Sequence, residues 1–134
     1  MARLRDIVID ARAPSALARF WAEALDGYAV RAYDAPEIER LAAFGRTPET
    51  DPAVAVDGPG PTLFFQETAE PKAGRNRLHL DLAGGPREAE VARLRALGAT
   101  LLRELADHTV LRDPEGNEFC VRDPDAAVVA EPPA

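Results

Sequence analysis

Apolar and polar residues alternate along this chain in two ways, and each way predicts a different kind of element. Short stretches rich in β-branched and aromatic residues, bounded by Gly, Pro or Asp, predict strands, and apolar residues three or four positions apart predict helices. The predicted strands cover residues 4–10, 28–33, 51–56, 62–68, 78–82, 99–105, 108–112 and 117–121. The predicted helices run from Pro14 to a cap at Gly27, from Ala35 to about Gly45, and from Pro86 to Gly98.

The predicted elements repeat in the same order, namely strand, helix and three strands, in the two halves of the chain. In both halves a proline begins the first helix and a glycine ends it, so that Pro14 lies 72 residues before Pro86 and Gly27 lies 71 residues before Gly98. A repeat constrains the architecture more firmly than any single element does. We therefore expect an α+β fold built from two tandem βαβββ modules. Their expected bounds are about 3–68 and 76–122, and a loosely held tail over 123–134 follows.

Composition and charge exclude several classes of protein. The formal net charge is −7 and the basic residues are interspersed with acidic ones, which argues against nucleic-acid binding because phosphate neutralisation needs clustered Lys and Arg. No apolar run approaches the roughly 20 residues of a membrane span, and the charged start MARLRDIVID is unlike a signal peptide. The single cysteine, Cys120, allows no internal disulfide. We expect one domain of a cytoplasmic protein that binds neither nucleic acid nor a membrane.

Three segments of the second half, RLHLDL, ARLRALGAT and LRDPEGNEFCV, carry a family resemblance together with the βαβββ repeat. The chain resembles the vicinal oxygen chelate superfamily of glyoxalase, bleomycin-resistance and dioxygenase proteins, and most of all its small bacterial glyoxalase-like branch. The resemblance extends from about Leu4 to Arg122 and is most specific over 113–119. It implies one domain over 1–122, with a curled, open mixed sheet around a cavity.

The resemblance also implies four metal-ligand positions, one on the first and one on the last strand of each module. They fall on Asp6, where the family usually has His, on Gln66, where Glu is common, and on His79 and Glu118, which match the usual residue types. Imidazole and carboxylate groups together hold a divalent metal such as Zn, Ni, Mn or Fe. The alternative is that His79 and Glu118 form a hydrogen-bonded polar pair in a cavity that holds no metal.

Strand alternation indicates which residues share a face with these positions. It puts Asp81 on the face of His79, Phe64 on the face of Gln66, and Cys120 and Arg122 on the face of Glu118. The candidate ligand-binding residues are therefore Phe64, Asp81 and Cys120, with Trp21 of the first helix as one edge of the pocket. For Trp21 and Cys120, simple packing in the core is the other interpretation. The second histidine, His108, is predicted to be an exposed residue at a strand end.

Two functions follow from the resemblance. One is a glyoxalase-like lyase or isomerase that acts on a small organic molecule, with metal assistance and with Glu118 as catalytic proton carrier. The other is a non-catalytic, bleomycin-resistance-like protein that binds a small molecule or antibiotic and has a degraded metal site. A carboxylate-based dehydratase or isomerase without metal is a third possibility, and the substrate stays open. We also expect a homodimer, because open curled sheets need a partner to cover them. The helix over 34–45 is either a lid or dimer contact, or a surface excursion.

Overall fold

The computed structural model describes residues 1–124 of the chain, which divides into two compact units, Met1–Ala73 and Gly74–Ala134. The first unit contains β1 (Asp6–Ala11), α1 (Pro14–Ala24), β2 (Ala29–Val30), α2 (Ala35–Ala43), a 3₁₀ turn (Pro48–Thr50), β3 (Ala53–Asp57) and β4 (Thr62–Glu67). The second contains β5 (Leu80–Ala83), α3 (Arg87–Leu97), β6 (Thr100–Glu104), β7 (His108–Arg112) and β8 (Glu118–Arg122). None of the helices within the described residues is long and apolar enough to cross a membrane.

Both units have a four-stranded mixed sheet with the same topology. The strand order is β1-β4-β3-β2 in the first unit and β5-β8-β7-β6 in the second. In each sheet the first strand runs parallel to the last, and the remaining neighbours are antiparallel. The predicted α+β fold with two βαβββ modules is thereby confirmed. The tail predicted over 123–134 lies outside the described residues, apart from its first two positions.

The strand register of the first unit separates a covered face from an open one. Leu63 and Phe65 of β4 are buried, and the buried side of α1, which includes Trp21, contacts the same strands. The opposite face of β4 carries Phe64, which is aligned with Val8 of β1. Val8 is 56% exposed, because no helix of this unit covers it as α1 covers the other face.

The second unit has the same strand alternation around β8, but both faces of this strand are covered. Phe119 and Val121 point to the face against which α3 packs through Val91 and Leu94. The opposite face of β8 carries Cys120 and Arg122. Both of these side chains are also buried, so β8 is enclosed on its two faces.

Several predicted bounds differ from the structure. The strand predicted over 28–33 is reduced to β2, because the ring of Tyr28 lies against the turn between β3 and β4 and Asp34 already caps α2. The first helix ends at Ala24, since its C-cap residue is extended, and Gly27 with φ of 74° lies in the turn beyond. The strand predicted over 78–82 begins only at Leu80. By contrast, Gly98 caps α3 as predicted, with φ of 125°.

The turn between β3 and β4 is closed by Tyr28, and we expect Gly58→Ala to disrupt it. A Cβ at residue 58 would lie 2.5 Å from Cγ and Cδ2 of Tyr28, whose hydroxyl donates to the carbonyl oxygen of Pro61 at 3.0 Å. The ring has to move, and we expect the free energy of unfolding to fall by about 1–3 kcal/mol. Equilibrium urea unfolding measures the loss. Gly84→Ala is the matched control, since nothing lies within 4 Å of its added Cβ; equal losses in both variants would contradict the packing argument.

Candidate functional site

A cleft of about 400 Å³ opens on the uncovered face of the first sheet, beside α2. Its floor is formed by strand residues with small or aromatic side chains, and its wall is formed by the segment between β2 and α2 and by α2 itself. The lining residues are Arg31, Ala32, Tyr33, Asp34, Glu37, Arg40, Asp51, Ala53, Ala55 and Phe64. The cleft therefore combines an apolar floor with a polar wall, all within the first unit.

Helix α2 forms one wall of the cleft because its sequence specifies its ends and its buried side. Asp34 caps it by accepting a hydrogen bond from the amide of Glu37 at 2.9 Å, and proline stands in the first turn. Leu41 is buried and anchors the helix, whereas Glu37 and Arg40 form a bidentate pair along the cleft. The helix over 34–45 was interpreted either as a lid or dimer contact, or as a surface excursion. Its position along the cleft agrees better with a role at a cavity than with a surface excursion.

Tyr33 and Asp51 form the most buried polar pair of the cleft. The Tyr33 hydroxyl lies 2.6 Å from Oδ2 of Asp51, and Oδ1 of Asp51 accepts the amide of Ala53 at 2.9 Å. Asp51 is only 4% exposed. Burial, followed by the hydrogen bond to Asp51, raises the pKa of Tyr33 well above its ordinary value. Its phenol therefore stays protonated and donates to the carboxylate.

Arg31 is held in a fixed orientation at the other side of the cleft. Its Nε and Nη2 donate to the two carboxylate oxygens of Asp57 at 2.8 and 2.9 Å, and its guanidinium lies 5.5 Å from the ring centroid of Phe64. Asp57 also accepts the hydroxyl of Thr62 at 2.8 Å. The hydrogen bonds from Arg31 and then Thr62 lower the pKa of the Asp57 carboxyl. A bidentate pair of this kind fixes the orientation of the guanidinium and places a carboxylate next to its charge.

A second polar cluster lies on one face of the second sheet. Nε of Arg122 donates to Oδ2 of Asp81 at 2.7 Å, and the Arg122 side chain is 9% exposed. Its Nη1 is buried and has no hydrogen-bond partner among the described residues. The β7 residue aligned with Arg122 is His108, whose Nδ1 lies 2.7 Å from Oδ1 of Asp107. This hydrogen bond lowers the pKa of the Asp107 carboxyl.

The prediction that His108 is exposed is wrong. It is 7% exposed, because β7 is an inner strand of the sheet and both of its faces are covered at this end. Cys120, which is also buried, has a cation close to it. Arg122 follows it on the same face, and Coulombic interaction with Cys120 contributes to the raised pKa of Arg122, although less than the hydrogen bond to Asp81 does.

The other predicted site residues occupy varied positions. Phe64 lines the cleft, and Gln66 follows it on the same face, exposed. The Asp6 carboxylate accepts a hydrogen bond from Nε of Arg5 at 2.7 Å. His79 is exposed and precedes β5, and Glu118 begins β8 half-buried, with its amide donating to Asn76 Oδ1 at 3.2 Å. Trp21 is 2% exposed on α1, edge-to-face with Phe20, and is not among the residues of the cleft.

Comparison with known proteins now decides the family. Residues 6–122 match the family of glyoxalase-like domains. The chain belongs to this family. None of the curated proteins matches the sequence significantly. The glyoxalase-like domain is thus assigned through its family and its fold rather than through a characterised relative.

Solved structures support the fold of this glyoxalase-like domain. A glyoxalase/bleomycin resistance protein/dioxygenase family enzyme from Burkholderia phytofirmans is similar with a TM-score of 0.65 at 20% identity, over 91% of this chain and 98% of that one. A possible glyoxalase from Bacillus cereus gives 0.61 at 12%, over 91% and 99%. Glyoxalase I from Leishmania major gives 0.59 at 18%, over 92% and 87%. At these identities the likeness shows the fold alone.

No metal site is formed among the described residues of this glyoxalase-like domain. Within the described part of the chain, no three His, Cys, Asp or Glu side chains are grouped so that they could hold a metal ion. A structural or catalytic metal needs three or four such ligands. Asp6 replaces the histidine that the family usually has, and its carboxylate is already paired with Arg5. The ligand set Asp6, Gln66, His79 and Glu118 therefore stays a prediction.

Of the residues that line the cleft of this glyoxalase-like domain, only Phe64 was predicted as a site residue, and polar residues such as Arg31, Tyr33 and Asp51 were not. The segment over 28–33 was interpreted as a strand and 51–56 as a weak strand, so their polar side chains had no assigned partners. One available signal was the placement of Asp51 before an apolar strand, where an unpaired carboxylate is costly to bury. That signal indicates a partner but not its identity.

Proposed function

We propose that this glyoxalase-like domain binds a small organic molecule in the cleft beside α2. The observation that supports the proposal is the cleft itself, because its volume of about 400 Å³ falls within the range of roughly 300–1,000 Å³ of ligand pockets. Phe64, Ala53 and Ala55 offer an apolar surface, and polar groups held by fixed hydrogen bonds stand around it. Few, well-oriented polar groups beside apolar surface are typical of such sites.

Binding of a small molecule is the step that the predicted functions share. A lyase or isomerase with Glu118 as proton carrier, acting with or without a metal, must also bind its substrate. Small-molecule binding is therefore the part of the function that we propose, and catalysis by Glu118 remains a prediction. Asp81 and Cys120 remain predicted ligand-binding residues, and the homodimer remains a prediction.

The proposal is tested with three probes of one shape, namely 2-phenylethylamine, 2-phenylethanol and 3-phenylpropionate, titrated against the full chain and followed by amide shifts in ¹H–¹⁵N spectra. We expect at least one probe to bind with a Kd of about 1 mM, since a ligand of some ten heavy atoms contributes roughly 0.4 kcal/mol per atom. The shifts should be centred on Ala32, Ala53 and Ala55. The result should be the same with EDTA and with added Ni²⁺ or Zn²⁺.

A cleft-filling variant makes the test specific. Ala53→Leu adds volume to the floor of the cleft and should weaken binding roughly tenfold, about 1.4 kcal/mol. Ala16→Leu makes the same change on an exposed position of α1, outside the cleft, and should leave the affinity unchanged. If no probe shifts the cleft amides, or if both variants bind equally, the proposal is wrong.

A further inference from the structure

The hydroxyl of Tyr33 is available to a ligand only as an acceptor. Its proton is directed at Oδ2 of Asp51 at 2.6 Å, because a carboxylate accepts and does not donate. Asp51 is held in turn by the amide of Ala53. The raised pKa of Tyr33 agrees with a phenol that keeps its proton. Since Tyr33 lines the cleft, the remaining lone pair of its oxygen favours a ligand group that donates.

The groups that would otherwise receive an anion already have carboxylate partners. Arg31 donates through two nitrogens to Asp57, and Arg40 donates through two nitrogens to Glu37. Helix α2 also begins at the cleft, but proline in its first turn has no N–H, and the amide of Glu37 donates to Asp34. An anionic ligand would have to compete with these internal partners.

The charge of the lining points in the same direction. Two arginines stand against three carboxylates, those of Asp34, Glu37 and Asp51, so the formal charge of the lining residues is −1. Asp57, outside the lining, further neutralises Arg31. A cleft whose walls carry an excess of one sign attracts ligands of the opposite sign.

We propose that the cleft selects a primary or secondary amine, whose cationic head donates hydrogen bonds and is attached to a flat apolar body. This proposal rests on the proposed function. The ammonium group donates to the oxygen of Tyr33 and lies in the field of Asp34, and the body lies on Ala53, Ala55 and Phe64. Carboxylates of the same shape are rejected, because they present an acceptor to an acceptor. The proposed ligand is therefore a cation, whereas Arg31 and Arg40 considered alone would suggest an anion.

The three probes of one shape test the selection. We expect 2-phenylethylamine to bind roughly tenfold more tightly than 3-phenylpropionate at neutral pH, with 2-phenylethanol between them. Tyr33→Phe should weaken binding of the amine about fivefold and should not weaken binding of the carboxylate. Tyr28→Phe is the matched control, because the Tyr28 hydroxyl donates to Pro61 outside the cleft, and its affinities should equal those of the parent protein.

A second variant covers the case in which Tyr33→Phe does not fold. Asp34→Asn keeps an oxygen for the helix cap but removes a charge, and it should weaken amine binding several-fold while leaving alcohol binding unchanged. If the carboxylate binds as tightly as the amine at the cleft, or if both Tyr33→Phe and Asp34→Asn retain full amine affinity, the selection is wrong while binding in the cleft stands. If none of the probes shifts the cleft amides, the proposed function fails and the selection fails with it.

Discussion

Replacing Asp81 by alanine is expected to lower the free energy of unfolding by about 3 kcal/mol, because it leaves a buried arginine without its partner. The Arg122 side chain is 9% exposed and its Nε–Asp81 Oδ2 distance is 2.7 Å. Its Nη1 already lacks a hydrogen-bond partner among the described residues, and the hydrogen bond to Asp81 is the largest of the interactions that raise the pKa of Arg122. Asp81 is itself 31% exposed, which keeps the expected loss at the lower end of the range for buried pairs.

The double variant Asp81→Ala/Arg122→Met distinguishes charge from packing. Methionine fills much of the arginine's volume without a charge, so the double variant should recover most of the loss. Urea unfolding followed by far-UV circular dichroism measures all the variants. Glu49→Ala, which breaks the exposed pair with Arg19, is the control and should cost less than 1 kcal/mol. The prediction is wrong if Asp81→Ala hardly changes the free energy of unfolding. It is also wrong if the double variant is no more stable than Asp81→Ala.

The other large effect is expected from Trp21→Ala, at about 4 kcal/mol of unfolding free energy. Trp21 is 2% exposed on the face of α1 that covers the first sheet, and it meets Phe20 edge-to-face at 5.3 Å between ring centroids. Truncation leaves a cavity that the backbone of a helix on a sheet closes only in part. Equilibrium unfolding measures the loss, and Trp21→Phe, which keeps an aromatic ring, should lose much less.

The same variant tests whether Trp21 belongs to a ligand pocket. The strand register puts the cleft on the sheet face opposite α1, so the affinity of folded Trp21→Ala for 2-phenylethylamine should equal that of the parent protein. Titrations are made at low temperature, where the variant stays folded. If the folded variant binds at least tenfold more weakly than the parent protein, Trp21 contacts the ligand. The interpretation of Trp21 as one edge of the pocket would then be correct.

Much of the fold was predictable because it depends on local patterns. The bounds of β7 coincide with the predicted 108–112, and Gly98 ends α3 where the predicted helix ends. The alternation that grouped Asp81 with His79 and Phe64 with Gln66 agrees with the strand register as far as the strands extend. His79 lies outside the strand, since β5 begins one residue later. These features succeed because side chains alternate with period two and glycine permits positive φ.

The candidate site was predictable only in part, because its polar contacts join residues that are far apart in sequence. Tyr33 meets Asp51 across 18 residues, and Arg122 meets Asp81 across 41. Phe64 was predicted to face a ligand because alternation puts it on the face of Gln66, a position that the family resemblance implies, and it lines the cleft. The pairing of Arg122 with Asp81 depends on how the strands of the second sheet are ordered, and no local pattern reports that order.

The sequence by itself determined the duplicated βαβββ architecture, the family and the shared faces of Phe64 with Gln66 and of Cys120 with Arg122, because these follow from periodicity and from motifs that are local in the chain. The tertiary structure alone decided that α2 walls a cleft, that the Tyr33 proton is directed at Asp51, and that His108 and Arg122 are buried. The physical reason is that burial and charge pairing are properties of the assembled sheet, in which neighbours come from strands that are distant in sequence. The segment around a residue determines which face of the sheet its side chain is on, but only the neighbouring strands determine which side chain it pairs with.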